Sequence, residues 1–113
     1  MATAKLPDPL SRRHLLEGQL DAAKARGIGE AYLEARREVE AIDFLARGNA
    51  TEALETLRAA ALERGDVFLM RAVVGALGDD PGSATWTQVA EAAERGGRAR
   101  DAETARRLAT IDA

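Results

Sequence analysis

The sequence predicts an all-α fold of about seven helices, and three observations carry that expectation. Alanine, the strongest helix former, supplies much of the 46 % hydrophobic content of the 113 residues. Its small side chain also lets neighbouring helices approach closely. Glycine and proline fall mostly at recurring breaks, which cut the chain into short helical lengths. The third observation is the stretch from Asp66 to Leu77. Val67, Met70, Val74 and Leu77 repeat there at helical spacing, and Phe68, Leu69, Ala72, Val73 and Ala76 fill the other flanks. Only Arg71 breaks the apolar surface, so this rod is expected to be buried on several sides, with the preceding and following helices packed against both.

Taken in order, residues 1–7 read as a frayed tail, followed by a single helical domain over 8–113. Asp8-Pro9 offers an N-cap with proline at the first helical position, and the helix it opens should stop at Gly18. Leu20 to Ala35 is helical in pattern, weakest at Gly27, where any break is expected. Arg36-Arg37 starts a turn without a strong breaker. Val39, Ile42, Leu45 and Ala46 then define a helix ending at Gly48. Asn49 and Glu52 have capping-box spacing and predict a helix from Asn49 to Arg64. Gly65-Asp66 ends that helix and caps the apolar rod. Gly78 to Ser83 is the clearest loop, and Thr85 with Gln88 is a second capping-box spacing, predicting a helix that carries Trp86 and stops at Gly96-Gly97. Arg98 to Ile111 forms the last helix, polar except for Ala102, Ala105, Leu108 and Ala109.

Composition excludes several functional classes. With no cysteine there is no disulfide, thiolate catalysis or Cys-based zinc site. The segment from Met1 to Leu10 lacks the apolar core of a signal peptide, and no apolar run approaches the roughly 20 residues of a membrane span. A cytoplasmic protein without membrane attachment is therefore expected. A net charge of −3 offers no general attraction to nucleic acid.

Three successive helix pairs, at approximately 20–48, 49–78 and 83–111, share one small-and-large pattern. The first reads Ala25, Ile28, Gly29, Tyr32, Ala41, Leu45; the second Leu54, Leu57, Arg58, Ala61, Met70, Val74; the third Trp86, Val89, Ala90, Ala93, Ala102, Arg106. This resembles the tetratricopeptide repeat, whose Trp-x-x-Leu-Gly-x-x-Tyr opening and later Ala-x-x-x-Phe follow the same intervals. The closest matches are Trp86-x-x-Val89-Ala90 and Ile28-Gly29-x-x-Tyr32. The glycine usual between the paired helices is matched by Gly65 and Gly97 but is Arg36 in the first pair. Spacings of 29 positions from Ile28 to Leu57 and 32 from Leu57 to Val89 fall short of the family period of about 34. The resemblance implies a right-handed stack of antiparallel helix pairs, an α-solenoid with irregular, shortened repeats.

No residue set signals catalysis or a resident cofactor or metal, so a non-enzymatic protein is expected. His14, the sole histidine, has no second ligand or nucleophile at a diagnostic spacing. Gly27-Ile28-Gly29 begins like a dinucleotide fingerprint, but the third glycine position is Tyr32 and no strand precedes it. Asp79-Asp80 lacks the spacing of a calcium loop. Arg12-Arg13, Arg36-Arg37, Arg98 with Arg100, and Arg106-Arg107 could form a phosphate-binding stripe. Acidic neighbours at helical spacing, such as Glu34, Glu38, Asp101 and Glu103, favour solvated ion pairs instead, so nucleic-acid binding ranks as the weaker alternative.

In the resembling family, exposed positions on the first helix of each pair line a ligand groove. Those positions here are Arg26, Glu30, Leu33 and Glu34; Glu52, Glu55, Leu62 and Glu63; and Thr87, Glu91, Glu94 and Arg95. The resemblance thus implies an acidic face. The expected function is an adaptor gripping a basic or amphipathic peptide through Glu30, Glu34, Glu52, Glu55, Glu63, Glu91 and Glu94, with Leu33 and Leu62 as apolar contacts. Glutamate is also a good helix former and populates any exposed helix face. The structural alternative is a self-associating helical protein, joined through an edge such as Leu10, Leu15 and Leu16. The expected state is thus a monomer or a weak homo-oligomer.

Overall fold

The computed structural model describes residues 6–78 and 81–111, which form seven helices and contain no strand. The helices are α1 (Pro9–Glu17), α2 (Ala22–Glu34), α3 (Glu38–Arg47), α4 (Thr51–Arg64), α5 (Val67–Leu77), α6 (Gly82–Arg95) and α7 (Ala99–Ile111). The chain divides into two compact units, Met1–Leu54 and Glu55–Ala113, with the boundary falling inside α4. Most of the expected 1–7 tail, and Asp79-Asp80, lie outside the described residues.

In the first unit, the Asp8 carboxylate accepts from Ser11 N–H at 2.8 Å, with Pro9 at the first helical position. The Asp21 carboxylate caps α2 through Ala23 N–H at 3.2 Å. α2 then runs unbroken through Gly27 and Gly29, whose roles differ. A β-carbon added at Gly27 would meet nothing within 4 Å, whereas one at Gly29 would lie 2.8 Å from Leu45 Cδ2. Gly29 is what lets α2 lie close on α3. Their shared core holds Ala25, Ile28 and Tyr32 from α2 and Ala41, Ile42, Phe44 and Leu45 from α3.

Four joints repeat one geometry. After α2, Arg36 takes a left-handed conformation (φ 61°), Arg36 N–H donates to Leu33 O and Arg37 N–H to Tyr32 O. Asn49 (φ 54°) follows α3 with the same two bonds, Asn49 N–H to Ala46 O and Ala50 N–H to Leu45 O. In the second unit Gly65 (φ 68°) and Gly97 (φ 75°) close α4 and α6 likewise. Each is a Schellman closure, which pairs two carbonyls the helix end would otherwise leave open. The residue after the left-handed one already accepts the next helix's first bond, at Arg37, Ala50, Asp66 and Arg98. Two or three residues therefore suffice to join one helix to the next.

This corrects the expectation for Asn49. Asn49 closes α3, because asparagine tolerates the left-handed region better than most residues, and α4 starts at Thr51, two residues later than expected. The Thr85-Gln88 capping box is also overturned. α6 begins three residues earlier, at Gly82, directly after Pro81 in the right-handed helical region, which leaves Thr85 inside the helix.

The apolar rod is α5, with the predicted ends. The Asp66 carboxylate caps it through Leu69 N–H at 3.0 Å, and Gly78 (φ 71°) terminates it. Its burial is one-sided, against expectation. Val67, Leu69, Met70, Val73 and Val74 are buried, but Phe68, Arg71 and Gly75 form an exposed flank, with Phe68 70 % accessible. Those three recur at intervals of three and four, so a single stripe faces solvent. α6 packs on α7, with Trp86, Val89, Ala90 and Ala93 buried on one helix and Ala102 and Ala105 on the other.

Candidate functional site

The glutamates expected to form a ligand face are exposed throughout: Glu30 and Glu34 on α2, Glu52, Glu55 and Glu63 on α4, and Glu91 and Glu94 on α6. Leu33 and Leu62 are half-buried, each leaving part of its side chain available beside a glutamate. Not all these carboxylates are available for a partner. Glu94 is bound by Arg106 of α7, and Glu55 lies 3.9 Å from Arg58 one turn along its own helix. Among the described residues, Glu30, Glu34, Glu63 and Glu91 make no ion pair.

Within the first unit, Glu30 and Glu52 come together around a cleft of about 430 Å³ lined by Arg26 and Glu30 of α2 and by Asn49 to Ala53. Two features build it. Gly48 rests on the backbone of Arg26, where an added β-carbon would lie 2.7 Å from the Arg26 nitrogen. The Arg26 guanidinium then donates to Asn49 O at 3.1 Å, holding the joint against α2. Each wall thus presents a carboxylate, Glu30 on α2 and Glu52 on α4, and the α2 wall adds the Arg26 guanidinium already engaged with main chain.

Of the eight arginines in the expected stripe, four are ion-paired, while Arg36, Arg98, Arg100 and Arg107 are exposed and make no ion pair among the described residues. Arg13 pairs with Glu17 at 2.8 Å, Arg12 with Asp43 at 3.2 Å, Arg37 with Glu40 and Arg106 with Glu94. The Arg37 contact is two-pronged, with its Nε donating to Glu40 Oε1 at 2.7 Å and its Nη2 to Oε2. That hydrogen bonding holds Glu40 below the usual carboxylate range and raises Arg37. Asp8 is likewise lowered, chiefly by the backbone N–H of Ser11.

A second constellation was not read from the sequence. Arg12 of α1 reaches α2 and α3, its guanidinium carbon 5.9 Å from the Tyr32 ring centroid and 5.5 Å from that of Phe44. The two rings stack at 5.6 Å with planes 21° apart, and Arg37 sits 5.1 Å from the Tyr32 centroid. Tyr32 and Phe44 are fully buried. The only sequence signal was that Tyr32 and Phe44 straddle one tight turn; nothing local tied Arg12 to either.

His14 is exposed in the last turn of α1. Among the described residues no cluster of three or more metal-type side chains occurs, and no helix is long and apolar enough to cross a membrane. Comparison of the chain with protein-family models, curated proteins and solved structures finds no match in any of the three.

Proposed function

We propose that the protein is a non-enzymatic adaptor built from irregular tetratricopeptide-like helix pairs, which binds a basic or amphipathic protein segment through the first helices of those pairs. The carrying observation is that Glu30, Glu34, Glu63 and Glu91 are exposed on α2, α4 and α6 and make no ion pair among the described residues. Carboxylates so placed attract a cationic segment at long range and fix its register. The repeat reading is supported by the joints at Arg36, Asn49, Gly65 and Gly97, which recur along the chain with one left-handed closure although two of them are not glycine.

The test is a panel of Lys/Arg-bearing amphipathic peptides titrated at low and high salt. Glu30→Arg, Glu63→Arg and Glu91→Arg together are expected to weaken binding at least about tenfold, and raised salt to weaken binding to the native chain. Binding indifferent to both changes refutes the reading. Self-association is kept as a second reading because Leu10 on α1 is 66 % exposed while Leu15 and Leu16 beside it are only half-buried. A molecular-mass measurement over a concentration series separates the two.

A further inference from the structure

α1 is attached in a way unlike any other helix. It is the only one of the seven described helices without a buried residue, and its anchoring polar contacts come from arginines. Arg12 donates to Glu40 O and Asp43 at 3.2 Å each while lying over the Tyr32 and Phe44 rings. Arg47 of α3 reaches back to Gly18 O at 3.0 Å and to Leu16 O. Every group that receives Arg12 belongs to α2 or α3.

We propose that this seat is an arginine-binding surface for a partner protein, and that α1 is its displaceable resident, occupying it in cis until an arginine-bearing amphipathic helix takes its place. Three features favour such an occupant. The stacked rings offer π-density to a guanidinium, which binds aromatic faces better than an ammonium does. Asp43, 61 % exposed at its side chain, supplies the countercharge at the rim. In addition, Arg12 Nε and the buried Tyr32 hydroxyl have no hydrogen-bond partner among the described residues. The Tyr32 phenol is thus a buried polar group that an incoming helix can engage. The short connection from Gly18 to Asp21 keeps α1 at high effective concentration, so a competitor binds when α1 opens locally. This seat lies apart from the Glu30 cleft, and failure of either reading leaves the other standing.

The probe is a fluorescein-labelled peptide of residues 6–20 of this chain, titrated against the full-length protein. Arg12→Ala in the protein should free the seat and tighten peptide binding by at least about tenfold over the native chain, and Arg12→Ala within the peptide should abolish binding. Equal binding by native and Arg12→Ala protein, or a peptide that does not need its arginine, overturns the proposal. Hydrogen exchange on the native chain gives a second reading that needs no variant. α1 amides should exchange at least about a hundredfold faster than those in the middle of α2 and α3, and equal protection overturns the idea of a displaceable helix. A dimer of the native chain that Arg12→Ala abolishes would assign the seat to a second copy, and would equally overturn a foreign partner.

Discussion

At the scale of single residues, two glycines two positions apart in α2 have opposite consequences. Gly27 faces open space, so Gly27→Ala should stabilise the protein by about 1 kcal/mol through helix propensity alone. At Gly29 the added carbon meets Leu45 Cδ2 at 2.8 Å and Leu45 N at 3.1 Å, and Gly29→Ala should cost roughly 1–3 kcal/mol by prising α2 from α3. Urea unfolding of the two variants should move the midpoint in opposite directions. Arg36 gives a complementary test. It is exposed and left-handed, a conformation costing a side-chain-bearing residue roughly 1–2 kcal/mol that glycine does not incur. Greater freedom in the unfolded chain offsets part of that gain, so Arg36→Gly should stabilise by about 0.5–1 kcal/mol, read from the same denaturation curves.

Among the elements, α1 should respond to acid first. Its Asp8 cap and the Glu40 carboxylate beside its seat are both held below the ordinary range, by Ser11 N–H and by the Arg37 hydrogen bond respectively. A carboxylate with a lowered folded pKa contributes stability above its unfolded pKa, and that contribution is lost as pH falls through the folded value. The first turn of α1 and the Arg37–Glu40 pair beside its seat should therefore persist from neutrality down to about pH 4 and weaken below it. The ring-proton shifts of Tyr32 and Phe44 in a pH titration report this directly; shifts unchanged to pH 2 would contradict it. The order of helices and both ends of α1 and α5 were legible in the sequence, because Asp8-Pro9, Gly18, Asp66 and Gly78 are strong local signals. The joints at Arg36 and Asn49 were harder to read, since a left-handed residue other than glycine leaves little compositional trace. One-sided burial of α5 was present in the pattern, with Arg71 and Gly75 on one stripe, but Phe68 on that same stripe masked it. The Arg12 seat joins residues 20 to 32 positions apart, beyond the reach of helical periodicity.

For the molecule as a whole, the exposed large apolar side chains include Leu10, Val39, Phe68 and Ile111. Phe68 contributes little to folding at 70 % exposure, so Phe68→Gln should leave stability within about 0.5 kcal/mol of the native chain. If the second reading of function holds through this flank rather than through α1, the same substitution should abolish concentration-dependent mass in light scattering. The interior depends instead on small residues. Gly48 meets the main chain of Arg26, and a β-carbon at Gly65 would lie 2.2 Å from the Ala93 nitrogen. Backbone there bears directly on backbone, with no rotamer between them to absorb a displacement. Such contacts act as fixed pivots: breathing motions within each unit must be taken up where flexible side chains such as Met70 fill the gap, and swapping methyl groups at the pivots cannot tune it.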